Sequence, residues 1–175
     1  MAVPKPGPYI ARQDADSYLG DRSTQHGGYW RWCRERSADG RCAVKAEIFH
    51  HLDAIEGQEQ FLAKAMWNRM SKDAARGRLR FGARLDVADI QRAPHLLEMR
   101  LQINPDHELP EKRYLLRLYF AEPPEHQRLL LGLKFGRKPS AGDPDHVQDR
   151  HINEARYRYN DGMKNDYAWG IELEC

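Results

Sequence analysis

The spacing of hydrophobic positions predicts a strand followed by two helices at the start of the chain. Aromatic and charged residues alternate over residues 29–36, which indicates a half-buried strand, and a turn follows at residues 37–40. Apolar residues then recur at helical spacing from Val44 to Ile55 and again from Phe61 to Met70, and a glycine ends each run. Because the link between these two segments is short, we expect an antiparallel helical hairpin.

The rest of the pattern predicts a sheet and a final helix. Three strand-like segments follow the hairpin, at residues 95–103, 114–120 and 128–135. Residues 136–144 are expected to form a loop. Residues 151–159 indicate a short helix that ends at Asn160-Asp161-Gly162. The order β-α-α-β-β-β-α predicts an α+β domain, in which a helical hairpin and a C-terminal helix pack on one face of a small, mostly antiparallel sheet.

Length and composition favour one folded domain in a reducing compartment. The 175 residues are enough for a single core. Residues 1–28, rich in proline and glycine, predict an N-terminal extension, residues 29–160 the folded domain, and residues 161–175 a C-terminal tail. Since the chain has no long apolar run, we expect a cytoplasmic protein without a membrane partner. An odd number of cysteines fits this location, with a Cys33–Cys42 bridge across a tight hairpin as the alternative.

Positive charge is concentrated in the predicted sheet. The net charge of the chain is only +2. Between Lys112 and Lys138, however, seven cations and two glutamates give that stretch a charge of +5. If the stretch forms a sheet, its cations lie on one side of a small domain, where they can meet phosphates. A solvated basic strand face is the alternative interpretation.

Several short motifs, taken in order, resemble those of a known family. Gly40–Leu52 resembles a glycine turn and opening helix, and Leu96-Leu97-Glu98-Met99-Arg100 resembles a Leu-Trp-Glu-Leu-Arg strand. Leu130–Pro139 is similar to a Leu-Leu-His-Gly-Phe-Lys-Lys-Thr segment, and His151–Arg156 to a terminal helix with an Ile-x-x-Ala-x-x-Arg core. The family is the RelE/ParE toxin superfamily, and the resemblance is greatest to its phage-derived, HigB-like branch. It covers most of the chain, from about Tyr29 to Tyr159.

The resemblance implies a toxin of a type II toxin–antitoxin system. Such a toxin is a metal-independent endoribonuclease that cleaves messenger RNA on the ribosome, needs no cofactor and is held by a cognate antitoxin. Cleavage requires removal of a 2′-hydroxyl proton, neutralisation of charge on the phosphoryl oxygens and protonation of the 5′-oxygen. The candidate catalytic residues are Arg100, Arg117, Arg137, Lys138 and His151. The candidate RNA-binding residues are Lys134, Arg156 and Tyr157.

Structural alternatives stand beside these assignments. Arg117 and Arg100 also suit ion pairs with Glu98, and a lone histidine is more often structural than catalytic. His95 is a second candidate for proton transfer. His50-His51 has no ligand at i+4, so no metal site is expected. Two other functions stay open: a ParE-like inhibitor of DNA gyrase, and a non-catalytic protein that binds a partner with the same fold.

Overall fold

A computed structural model describes residues 28–33, 42–82, 85–123, 126 and 128–164. The predicted extension up to residue 27, the turn at 37–40 and the tail from residue 165 lie outside these ranges. The described elements are β1 (Tyr29–Trp32), α1 (Ala43–Asp53), α2 (Gln58–Ala75), β2 (Val87–Asp89), β3 (Leu97–Ile103), a 3-10 turn (Pro110–Lys112), β4 (Tyr114–Ala121), β5 (Leu129–Lys138) and α3 (Pro144–Lys164).

The strands form one mixed sheet with the order β1-β5-β4-β3-β2. β1 runs parallel to β5, and the other three neighbouring pairs are antiparallel. The expected α+β fold with a mostly antiparallel sheet is therefore confirmed. β1 pairs with β5 as far as Gly132, and no described strand lies beside the second half of β5 on that side.

The helices cover both faces of the sheet, not one face as expected. On β5, the Phe135 ring lies 6.1 Å from the His51 ring of α1 and 5.5 Å from the Trp67 ring of α2. The next residue, Gly136, lies directly against the His151 ring of α3. Because successive strand residues point to opposite faces, α3 lies across the sheet from α1 and α2. Strands covered on both faces are apolar throughout, which weakens the alternation that marks a single buried face.

The helical hairpin packs on the larger part of the core. The two helices line one groove together, and Lys64 of α2 forms an ion pair with Asp53 at the end of α1 at 2.7 Å. Fully or almost fully buried side chains of this core include Val44, Ile48, Leu52, Met99, Leu101, Leu116 and Leu118. Burial of each large apolar side chain stabilises the fold by about 1.5–3 kcal/mol.

Three elements differ from the expected boundaries. β2 was not predicted, because a strand of three residues is too short to show a period. β5 continues to Lys138, so the expected loop begins later. α3 begins at Pro144, where the Asp143 carboxylate accepts a hydrogen bond from the His146 amide at 3.0 Å and caps the helix. It also continues through Gly162, which was expected to end it.

Both cysteines near the start of the domain are buried and do not form a disulfide. The Cys42 Sγ lies 3.8 Å from the main-chain oxygen of Cys33, to which it can donate. The alternative of a bridge between them is therefore absent from this structure, and the two thiols contribute to the core as small apolar side chains.

Candidate functional site

Three of the predicted catalytic cations share one face of the sheet. Arg100 of β3 stands directly opposite Arg117 of β4, and Arg117 stands opposite Gly136 of β5. Lys138 follows two residues after Gly136, so its side chain belongs to the same face. This is the face that α3 covers, and we call it the α3 face. The strand register thus brings together cations that are far apart in the sequence.

Arg117 holds its charge in a buried position with few partners. Its side chain belongs to a residue that is only 6% exposed, and its Nη1 donates to the Leu116 carbonyl at 2.9 Å. Its Nε is buried and has no hydrogen-bond partner among the described residues. Burial lowers the pKa of Arg117. The Glu98 carboxylate raises this pKa, and the positive charge of Arg100 lowers it further. A buried guanidinium stays charged and is costly without partners, so an anion next to it is favoured.

The buried Glu98 carboxylate holds Arg100 and links the sheet to α3. Arg100 donates to Glu98 from Nε at 2.6 Å and also from Nη2. Gln148 of α3 donates to the other Glu98 oxygen at 3.0 Å and accepts a hydrogen bond from Lys138 Nζ at 2.7 Å. Lys138 also pairs with Asp145 at 3.2 Å. The ion pair proposed as the alternative role of Arg100 is therefore formed, whereas no such pair joins Glu98 to Arg117 in the described part of the chain.

His151 lies against the same face and offers a neutral imidazole. Its ring contacts Gly136, where a side chain of any size would collide with it, and lies 6.1 Å from the Tyr119 ring. Burial lowers the pKa of His151, and Lys134 lowers it further. The ring is therefore uncharged at neutral pH, and Nδ1 is buried without a partner among the described residues. An imidazole in this state can accept a proton.

A polar groove of about 320 Å³ opens beside these residues. Its lining includes Glu98, Arg100 and Gln148, together with Arg92 from the loop before β3. Arg92 forms an ion pair with Asp149 of α3. The described residues that line it do not include Arg117, Lys138 or His151. A larger groove of about 400 Å³ between α1 and α2 is mostly apolar and contains none of the predicted site residues.

Arg137 is separated from the other candidates. It belongs to the face of the sheet opposite to α3, because it follows Gly136 by one residue. Its guanidinium lies 4.5 Å from the centre of the Tyr114 ring and donates to the Arg113 carbonyl at 3.0 Å. These contacts stabilise the end of the sheet, and they place Arg137 outside the α3 face.

Lys134 is occupied by a buried ion-pair network. Its ammonium lies 2.8 Å from Glu47 of α1 and 2.9 Å from Glu154 of α3. Arg158 of α3 binds the same two carboxylates, at 2.8 and 2.9 Å. We call Glu47, Lys134, Glu154 and Arg158 the edge network, because it covers β5 where β1 has ended. Lys134 therefore has a structural role in this network, and its expected RNA-binding role stays a prediction.

The edge network replaces the missing strand neighbour of β5. The Glu47 carboxylate accepts the Phe135 amide hydrogen at 2.9 Å, and Arg158 donates to the Leu133 carbonyl at 2.7 Å. Two main-chain groups that would otherwise be buried without partners are thereby satisfied. Neither Glu47 nor Arg158 was predicted, since their roles depend on α1 and α3 meeting around the edge of the sheet.

The remaining predicted residues lie away from the cation cluster. Arg156 and Tyr157 are exposed on the outer side of α3, and Tyr157 is 66% exposed. His95 packs against Tyr159, with 5.0 Å between ring centres, about two helical turns along α3 from His151. The site residues that the sequence analysis missed are Tyr119 and Gln148. Tyr119 was detectable, because it follows Arg117 by two residues in a predicted strand, whereas Gln148 fell outside the predicted helix.

The described residues contain no metal-binding cluster and no membrane-spanning helix, and the chain matches no known protein. Within the described ranges, no three His, Cys, Asp or Glu side chains are close enough together to hold a metal ion. No helix in these ranges has the length and apolar character needed to cross a lipid bilayer. No family model, no curated protein and no solved structure matches this chain.

Proposed function

We propose that this chain is the toxin of a type II toxin–antitoxin system, a metal-independent endoribonuclease that cleaves messenger RNA on the ribosome. The resemblance to the RelE/ParE superfamily motivates the proposal. The observation that carries it is the placement of Arg100, Arg117 and Lys138 on one sheet face beside His151. Its natural partners are then the messenger, the ribosome and a cognate antitoxin protein.

The cations of the α3 face supply the charge that cleavage requires. When a ribose 2′-hydroxyl attacks the adjacent phosphorus, negative charge grows on the phosphoryl oxygens. The Arg117 guanidinium, which is buried in the free chain, stabilises this charge from within the sheet. Arg100 and Lys138 flank it on the neighbouring strands. The neutral His151 imidazole accepts the hydroxyl proton, water protonates the departing 5′-oxygen as the P–O5′ bond breaks, and the ribosome holds the message in line.

Binding of the substrate to Lys138 competes with the contacts between Lys138 and α3. In the free chain its ammonium is held by Gln148 and Asp145. A phosphodiester carries one negative charge, as Asp145 does, and Asp145 is well exposed, so exchange of Asp145 for phosphate costs little. The proposed site therefore admits RNA without disruption of the buried Glu98 contacts.

The experiment compares the intact chain with Arg117→Met during induced expression. Growth arrest and new 5′ ends within translated messages are expected for the intact chain, and neither for Arg117→Met. Arg150→Met is the matched control, because it removes the same charge from the exposed surface of α3. Purified protein added to translating ribosomes provides the direct assay. Intact messages together with normal growth on expression of the unaltered chain would contradict the proposal.

A non-catalytic partner-binding protein is the second candidate. The burial of Arg117 favours it, because a catalytic cation normally has to reach its substrate. Under this function the α3 face is structural, and Arg117→Met changes neither growth nor message integrity. The same expression experiment separates the two candidates.

A further inference from the structure

Five exposed cations lie together around the C-terminal end of α2. This basic patch consists of Arg69, Lys72, Arg76, Arg78 and Arg80. The first three are spaced by three and four residues, so they form one stripe along the helix. The last two flank the buried Leu79 and are exposed just beyond the helix end. The Arg78 amide donates to the Asp73 carbonyl of α2 at 2.8 Å, which holds this segment against the helix.

The charge of the basic patch is largely uncompensated. From residue 69 to residue 80 there are five cations and one acidic residue, Asp73, which gives a charge of +4. Arg80 is paired with Asp86 at 3.0 Å. In the part of the chain that the structure describes, the other four have no carboxylate within ion-pair distance. Some other surface cations have one, such as Lys64, which pairs with Asp53 at 2.7 Å.

Helix electrostatics explain only part of this arrangement. Cations in the last turn of a helix offset the partial negative charge of its free carbonyls, which accounts for Lys72 and Arg76. Arg78 and Arg80 lie beyond the helix, and Arg69 precedes its last turn. Mutual repulsion among these groups is reduced when a polyanion binds them.

The basic patch is connected to the candidate site around the edge of the sheet. Asp86 binds Arg80 through its carboxylate, and its main-chain oxygen accepts the Arg100 amide hydrogen at 2.8 Å. Arg100 belongs to the α3 face. Asp86 therefore connects the basic patch, through Arg80, to the strand that carries Arg100.

We propose that the basic patch binds the phosphate backbone of double-helical RNA, an inference that rests on the proposed function for the choice of RNA. The stripe from Arg69 to Arg76 spans roughly 10 Å, or about three base steps of a duplex. Residues 69–80 contain no aromatic side chain, so the patch has no stacking platform for unpaired bases. It suits phosphates of a duplex, whose bases are already stacked.

The test measures binding of the full chain to a blunt RNA duplex by fluorescence anisotropy over a range of salt. With four unpartnered cations on phosphates, affinity is expected to fall about 150-fold between about 50 and 200 mM salt. For the variant Lys72→Gln/Arg76→Gln the expected fall is only about 12-fold, because two contacts remain. Lys112→Gln/Lys164→Gln removes two exposed charges elsewhere and should match the unaltered chain.

Other results overturn the inference. An unchanged salt dependence in the patch variant, or tighter binding of single-stranded RNA or of a DNA duplex with the same sequence, would do so. Cleavage on ribosomes is measured separately. Duplex binding that depends on the patch supports this inference even if messages stay intact and the proposed function fails. Message cleavage with normal duplex binding by the patch variant refutes the patch alone.

Discussion

Removal of Glu47 is expected to destabilise the fold more than any surface ion pair does. Its carboxylate accepts hydrogen bonds from Lys134 Nζ at 2.8 Å, from the Phe135 amide at 2.9 Å and from Arg158 Nη2 at 2.8 Å. The variant Glu47→Ala leaves these three donors to find other partners. Two of these donors, Lys134 and Arg158, carry a positive charge. The third is the Phe135 amide, on the edge of β5 that Glu47 covers.

The magnitude follows from the burial of the two cations. The Arg158 side chain is 4% exposed and that of Lys134 is 12% exposed. Removal of one partner from a buried ion pair costs about 3–5 kcal/mol. Glu154 still binds both cations in the variant, so we expect the lower end, about 3 kcal/mol. For a chain of this length, that loss lowers the melting temperature by about 6–12 °C.

Urea unfolding followed by tryptophan fluorescence measures this loss, since Trp30, Trp32 and Trp67 pack against the core. Asp53→Ala is the control, because its pair with Lys64 is exposed and is expected to contribute less than about 1 kcal/mol. In the Glu47→Ala background, Arg158→Met should cost less stability than it does in the unaltered chain, because the ion pair between Arg158 and Glu47 is already lost. A loss below about 1 kcal/mol for Glu47→Ala would refute the structural role given to the edge network.

The edge network also predicts that the stability of the fold decreases in acid. Burial raises the pKa of Glu47, but hydrogen bonds and charge from Arg158, with further donation from Lys134 and the Phe135 amide, outweigh it and leave the pKa below its ordinary value of 4.5. A carboxyl with a lowered pKa stabilises the fold above its unfolded value, and this contribution is lost as pH falls through the folded value. Glu47→Gln should therefore flatten the fall in stability below about pH 4.5.

Three further results are expected. Gly136→Ala would place its Cβ within 2.5 Å of the His151 ring, so it should displace the ring and cost about 1–3 kcal/mol in urea unfolding. Burial, with smaller effects of neighbouring cations, lowers the pKa of His51 to about 4, so stability should decline as pH falls from 6.5 towards 4, and less so in His51→Leu. Arg117→Met should keep or raise the melting temperature, because the buried Arg117 Nε has no hydrogen-bond partner among the described residues; a large decrease would contradict this.

Most of the element order followed from the sequence because local patterns determine it. The two helical runs and the three longer strands were predicted within a few residues, since each has its own period and its own stop signal. α3 was predicted too short, because its first turn is polar and depends on Asp143 and Pro144 and not on apolar spacing. The placement of α3 across the sheet depends on the path of the chain after β5, which no local pattern contains.

The candidate site was only partly predictable for a related reason. Alternation within each predicted strand was enough to put Glu98 and Arg100 on one face. The alignment of Arg100 with Arg117 depends on strand register, which turn geometry and core packing decide together. Gln148 was not predicted as a site residue, because it lies in the first part of α3, before the predicted start of the helix.

The location of positive charge illustrates the same distinction between sequence and surface. The stretch from Lys112 to Lys138 carries the highest charge considered in the sequence, but a strand sends alternate residues to opposite faces, so Arg137 and Lys138 separate. Lys134 is neutralised by two carboxylates. On α2, spacing by three and four residues keeps Arg69, Lys72 and Arg76 on one side. The basic patch therefore presents more exposed positive charge to a polyanion than the sheet does, although it was not predicted from the sequence.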